Sequence, residues 1–307
     1  MLEPLLKLIG SKQYPRGPGF KRARVHQLDL SGTRVEFKTP PNSDVMVPFD
    51  PMPEKYNLYD EKVRNYKPKK PTDMHWRTLY TEGWSFFGVP LLQGEIGQLK
   101  LGVFFVHTPR HGNLFNPENF LNALDERLGG RYGPISEQHR AIARIDWQLK
   151  TIHGNDWVRY WNQKIDVLNN GVEWVTPITE EHMLFFGFPH FINRPNTRLN
   201  EAYSKLEDQI MSTVKIDWSA DILRQKQAAA EKWPDVKLPR QRPVLEWPEE
   251  EWAKYAPKDE LAELFEEAAR ETQALKEHNE AMRKKQALAL EEADRLREKQ
   301  KSKMQGK

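Results

Sequence analysis

An α+β fold, a mainly antiparallel sheet with two packed helices and a long C-terminal helical tail, is what this sequence predicts. Three observations predict it. Segments with apolar residues at every second position recur between residues 25 and 192, the mark of half-buried strands. Two segments place apolar residues at helical spacing, one among the strands and one after them. Beyond Trp218 the composition changes: residues 219–307 hold 19 Lys/Arg and 19 Asp/Glu with few large apolar side chains. Strands in antiparallel runs with two separated helices form a sandwich when each element buries its apolar side against another.

The elements follow in order. Residues 1–24 read as a basic lead-in, in which Lys7, Lys12, Arg16, Lys21, Arg22 and Arg24 face one acid, Glu3. The next stretch reads as a hairpin: Leu28 and Leu30 alternate, Ser31-Gly32 turns, and Val35 and Phe37 alternate again. A proline- and charge-rich stretch from Pro40 reads as irregular. In "GQLKLGVFFVHT", Leu99, Leu101, Val103 and Phe105 share a strand face. "NPENFLNALDERLGG" carries the best helix signal. Asn116 caps it, Pro117 suits its first position, and Phe120, Leu121, Leu124 and Leu128 make the stripe. Gly129-Gly130 is expected to end it. "RAIARIDWQLKTIH", "GNDWVRYWNQ", "GVEWVTPIT" and "HMLFFGFPHFIN" read as consecutive strands, with turns at 168–171 and at Glu180-Glu181. The second helix, "NTRLNEAYSKLEDQIMSTVKI", has the stripe Leu199, Ala202, Tyr203, Leu206 and Ile210.

The domain reading is therefore a lead-in (1–24), a sandwich (25–218), a linker (219–257) punctuated by Pro234, Pro239, Pro243 and Pro248, and a charged helical tail (258–307). The tail lacks Gly and Pro from 258 to 303. Leu261, Ala268, Leu275, Met282, Ala289 and Leu296 repeat every seven residues, while the companion seam from Phe265 turns polar at Thr272, Asn279 and Gln286. Half a seam predicts a solvated single helix or one that waits for a partner, with weak self-association as a coiled coil as the alternative.

The strand–loop–helix "LKLGVFFVHTPRHGNLFNPENFLNALDERL", the strands "DWVRYW", "VEWVTPI" and "MLFFGFPHF", and the closing helix "LNEAYSKLEDQIMSTVKI" together follow an order that resembles the PsbP-like α/β/α sandwich. That group includes the DcrB-like proteins and the Eag-type chaperones of type VI secretion effectors. The resemblance covers about two thirds of the chain and rests on pattern rather than on a diagnostic motif. It implies a non-enzymatic module that binds another protein: an adaptor, an effector chaperone or an immunity-type protein.

No catalytic residue and no cofactor is assigned. The sequence has no Gly-rich phosphate loop, no GxSxG elbow and no HExxH. It has no cysteine, which rules out disulfides, thiolate chemistry and Cys-based zinc sites. His107 and His111 stand four apart, but Pro109 makes that stretch a loop, and a metal needs a third ligand from His153, His182 or His190. No metal is expected. Glu180, Glu181 and His182 read as turn residues. Asp146 and Asp156 would act as a sugar-cleaving pair only if held roughly 5–9.5 Å apart, which spacing along the chain does not set.

One strand carries the candidate binding surface. On "GNDWVRYWNQ", Trp157, Arg159 and Trp161 fall on one face and Val158 and Tyr160 on the other. Trp and Arg dominate interface hot spots, so the first face reads as a partner-binding platform that Trp174 would extend. The opposing reading places the tryptophans under a helix, with Arg159 reaching past them to water. The net charge of +3 favours neither nucleic acid nor membrane for the whole molecule. Single-stranded nucleic acid is the alternative partner, through Lys62, Arg64, Lys67, Lys69, Lys70 and Arg77; an unrecognised hydrolase is the second alternative. No apolar run approaches the roughly 18–20 residues that span a bilayer, and the first residues make a poor signal peptide. The expectation is a soluble, cytoplasmic protein.

Overall fold

A computed structural model describes residues 14–43, 55–60, 74–89, 92–134, 141–164, 169–192 and 197–255. The heptad seam from Leu261 to Leu296, the first half of the lead-in and the basic residues Lys62 to Lys70 lie outside the described residues. Residues 1–254 make one compact unit and 255–307 a second.

Two sheets form the first unit. Strands β1 (Arg24–Leu30) and β2 (Thr33–Thr39) pair antiparallel around the Ser31-Gly32 turn, where both residues have positive φ. Short β10 (Lys215–Asp217) pairs with β2, and β3 (Lys55–Tyr56) lies parallel to β1. The larger sheet runs β4-β5-β9-β8-β7-β6, antiparallel throughout. Its strands are β4 (His75–Phe87), β5 (Glu95–His107), β6 (Ala141–Ile152), β7 (Asn155–Lys164), β8 (Asn169–Pro177) and β9 (His182–Ile192). Helix α1 (Pro117–Tyr132) and helix α2 (Thr197–Met211) are the two expected from the sequence. The α+β class with mainly antiparallel sheets is observed, consistent with a sandwich.

The large sheet is the middle layer and is apolar on both faces. One face packs Leu101, Val103, Trp157, Trp174, Phe186 and Phe188 against β1, β2 and α2. The other packs Val158, Tyr160, Val175 and Phe185 against Phe120, Leu124 and Leu128 of α1. This explains the near-continuous apolar run of β9: with both sides covered, alternation disappears.

Asn116 caps α1 as expected, its side chain accepting from the Glu118 N–H at 2.9 Å. The helix does not stop at Gly129-Gly130. It continues to Tyr132 and ends at Gly133, whose N–H reaches the Gly129 carbonyl. Buried Leu128 and Tyr132 hold the last turn, which offsets the roughly 1 kcal/mol that each helical glycine costs.

The stretch expected as a linker, 219–257, is corrected. Ser219 caps helix α3 (Ala220–Lys232), which buries Ile222 and Ala229. Residues 233–247 then run along β6 and α1. Leu245 exchanges both backbone hydrogen bonds with Ala143 at 2.9 Å, and the Trp147 indole donates to the Pro239 carbonyl at 2.9 Å. Helix α4 (Glu249–Tyr255) follows. The prolines make this segment extended, as read, but its inward side chains give it a place on the body. Among the described residues no helix is long and apolar enough to cross a membrane.

Candidate functional site

The expected platform lies inside the molecule. Trp157 is 0% exposed, Trp174 3% and Arg159 6%. Trp161, half-buried, is the most exposed of the four. The face they share lies beneath α2, so the core reading holds for the tryptophans. Arg159 does not extend to water. Its Nε donates to Glu207 Oε1 of α2 at 2.8 Å, and the Trp174 indole donates to the same oxygen at 2.6 Å. The expectation that Arg159 is the exposed member is corrected: a buried carboxylate on the overlying helix draws the guanidinium inward. Burial pushes Glu207 above the usual carboxylate range, against the pull of Arg159.

The opposite face carries a second buried pair. Glu173 on β8 accepts from Arg127 of α1 through two bonds of 2.9 Å, from the Tyr160 hydroxyl at 2.7 Å and from Asn162 at 3.3 Å. Burial alone would raise its pKa, but Arg127 and these further donors hold it down to about 2. Glu173 and Tyr160 are cross-strand partners, as are Trp174 and Arg159 one residue along. Each helix is thus pinned to neighbouring rungs of one ladder by its own Arg–Glu pair, on opposite faces.

Histidines gather elsewhere. His107 stacks on His182 with ring centroids 4.5 Å apart. Its two nitrogens meet His75 at 2.5 Å and Glu181 at 3.1 Å. His182 bonds the Thr179 hydroxyl and the Leu58 carbonyl. His111 pairs with Glu126, and His153 bonds the Ser212 carbonyl. No group of three His, Asp or Glu suited to a metal occurs among the described residues. Asp146 is turned toward Arg159 and Gln148, and Asp156 accepts from Thr151. The candidate sugar-cleaving pair is therefore occupied by separate neighbours.

His190 is 0% exposed, and among the described residues neither ring nitrogen has a hydrogen-bond partner; Trp161 and Tyr203 flank it edge-on at 4.8 and 4.9 Å. Burial and the nearby Arg159 charge lower its pKa to about 3. The unfolded chain takes up this proton near pH 6.5, so stability is present above pH 6.5 and is lost as pH falls toward 3, by up to about 1.4 kcal/mol per unit. His190→Phe should flatten the acid side of the stability profile between pH 6.5 and 4 in urea titrations. Equal slopes for variant and parent would show that His190 is not held neutral. Glu207 titrates in both proteins and cancels from the comparison.

The site that the sequence reading missed is on the α1 side of the large sheet. The rung Gly102–Gly187–Glu173 crosses β5, β9 and β8. The two glycines leave a groove of about 330 Å³ beside the last turn of α1. Phe104 lines it and stacks on Phe185 at 4.9 Å, and the Arg127 guanidinium lies 4.1 Å over the Phe185 ring. Trp76, 46% exposed, and Arg131 stand at its rim. A Cβ on Gly102 would meet nothing within 4 Å, so the space above it is open. The signal was present: a lone glycine inside "LKLGVFFV" and another inside "LFFGFPHF" mark a close approach on an apolar strand.

No family model and no curated protein matches the chain. A crystal structure of a protein from Bacteroides thetaiotaomicron VPI-5482 is similar over 46% of this chain and 42% of that one, at 11% identity and a TM-score of 0.22. The chain spans less than half of that protein's length, and a likeness this slight carries no argument.

Proposed function

We propose that this protein is a non-enzymatic protein-binding module of the adaptor, effector-chaperone or immunity-protein kind, and that it grips its partner in the Gly102–Gly187 groove. The observation that carries the reading is that groove: open above Gly102, rimmed by an exposed indole and an arginine. Large apolar side chains seat in such pockets, and rim charges steer them. The fitting partner is a polypeptide segment with one bulky apolar residue and a neighbouring acid for Arg131. Glu173, a carboxylate in the wall, is held ionised by Arg127, which suits it to positioning rather than to proton transfer. The PsbP-like order of elements agrees with the reading and adds no residue to it. A cytoplasmic site of action, and a helical tail over 258–303 as a second contact, belong to the same proposal.

Gly102→Leu fills the groove with an apolar side chain that meets open space. A partner that co-purifies with the parent protein should fall at least tenfold with this variant while the melting temperature stays within a few degrees. Trp76→Ala should weaken the same complex by about 2 kcal/mol, and that loss should change little between low and high salt. Undiminished recovery with Gly102→Leu sinks the groove as the binding site. A steep salt dependence instead favours the nucleic-acid alternative.

A further inference from the structure

After the Trp233–Val236 turn, the segment to residue 247 is extended and its burial repeats in threes. Trp233, Val236, Pro239, Arg242 and Leu245 are half-buried, one in every three residues, and of the residues between them only Leu238 is not exposed. Three residues per turn is the repeat of a polyproline II helix, whose carbonyls make no internal hydrogen bonds and stay available to a partner. The body takes three of them, the Leu245 carbonyl from the Ala143 N–H and two from side chains. Trp147 donates to the Pro239 carbonyl at 2.9 Å and Arg144 Nε to the Pro243 carbonyl at 2.8 Å. Between them the Arg242 guanidinium makes two bonds to Asp125 of α1, at 2.9 and 2.8 Å, and lies 5.3 Å over the Trp147 ring. An indole donating to a proline carbonyl beside an acid that takes an arginine is the chemistry by which grooves read proline-rich ligands.

The receiving strand is built for this. β6 breaks register with β7 twice, and Arg144 and Asp146 hold φ of 56° and 52°. Non-glycine residues rarely adopt that conformation, and bulges re-aim side chains. Here they keep Ala143, Arg144 and Trp147 all buried, on the side where Leu245, Pro243 and Pro239 meet them.

We infer that the surface formed by Asp125, Arg144 and Trp147 is a binding site for a proline-rich, arginine-bearing segment of the pattern Pro-x-x-Arg-Pro-x-Leu, occupied in cis by residues 239–245. The tethered copy sits at an effective concentration of order millimolar, so a segment supplied by another chain binds when the tethered copy is weakened. Asp125 also accepts from Arg144 at 2.7 Å, so losing Arg242 leaves no unpaired acid.

The probe is a fluorescein-labelled peptide with the sequence of residues 234–248, read by anisotropy against the full-length protein. The full-length double variant Pro239→Gly, Arg242→Ala should bind it at least tenfold more tightly than the parent does. Adding Asp125→Asn or Trp147→Phe should weaken that binding at least fivefold, and so should a glutamate at the peptide's Arg242 position. Equal affinity for parent and double variant, or binding indifferent to the peptide's arginine, overturns the inference. If the double variant does not melt cooperatively, hydrogen exchange on the parent decides. The Leu245 N–H, bonded to the Ala143 carbonyl, should exchange at least tenfold faster than the amides of β8. Exchange as slow as theirs means that the segment leaves only on global unfolding, which also overturns the inference.

Discussion

Arg159→Glu should cost the fold more than about 4 kcal/mol and should leave little native protein at neutral pH. The change removes the guanidinium that meets Glu207 at 2.8 Å and sets a second carboxylate against a side chain that is 0% exposed. Breaking a buried pair by removing one partner costs about 3–5 kcal/mol, since the remaining charge has neither water nor a counter-charge. Like charges add to that. Burial already holds Glu207 above the usual carboxylate range with Arg159 present, so in the variant it takes up a proton more readily still. The deficit should therefore narrow as pH falls and the carboxyls take up protons. Urea unfolding of parent and variant at pH 7.5 and pH 5 measures both effects. A variant within 1 kcal/mol of the parent at pH 7.5 would mean that Arg159 does not lie under α2. The double change Arg159→Met with Glu207→Gln should recover most of the loss, because the amide oxygen still accepts from the Trp174 indole while the charge is gone. Recovery by the double change separates an electrostatic loss from a packing loss.

That prediction reverses the one a surface reading of "GNDWVRYWNQ" would make, and the reversal marks where sequence patterns stop. Period two shows that Trp157, Arg159 and Trp161 share a face, and in the structure they do. It does not show what covers the face. The answer depends on α2, some 40 residues downstream, whose Glu207 lies beside the apolar stripe read as Leu199, Ala202, Tyr203, Leu206 and Ile210. Charged residues at the margin of a stripe usually point to water; Glu207 does not, because an arginine waits beneath it. Helices α1 and α2, the hairpin at Ser31-Gly32 and the order of the longer strands along the chain were legible, since each depends on local spacing and turn chemistry. The division into two sheets was not. β3 and β10 are 2 and 3 residues long, too short for any period, and they decide that β1 and β2 form a separate layer. The strap of 233–247 was misread for a different reason. Its repeat of three was hidden by prolines that ordinarily mark a linker, and its contacts, from Trp147 and Asp125, lie about a hundred residues away.

On the other face, Glu173→Ala should destabilise the protein by about 3–5 kcal/mol. Glu173 is the common acceptor for Arg127, Tyr160 and Asn162, and its loss leaves an arginine and two neutral donors buried without it. Arg127 bears the larger share, since it is 8% exposed and pairs with the Glu173 carboxylate. The expected consequence is local before it is global. Helix α1 is tied to the sheet by this pair and by Phe120, Leu124 and Leu128, so amides of α1 should lose protection against hydrogen exchange before those of β9 do. Since α1 forms one bank of the Gly102–Gly187 groove, partner binding should weaken under conditions where the fold still holds. The pH dependence is fixed by the lowered pKa. With Glu173 held near 2 in the folded state and near 4.5 when unfolded, its contribution is full above pH 4.5 and is lost as pH falls from 4.5 toward 2. Parent and variant should therefore converge in stability across that range. Replacing the pair together, Arg127→Met with Glu173→Leu, removes both desolvated charges and should return the protein to within about 1–2 kcal/mol of the parent. Tyr160 and Asn162 set the remaining deficit. If Glu173→Ala costs less than 1 kcal/mol, or if the double variant is no better than the single one, the pair does not hold α1 to the sheet, and the groove beside it has some other support.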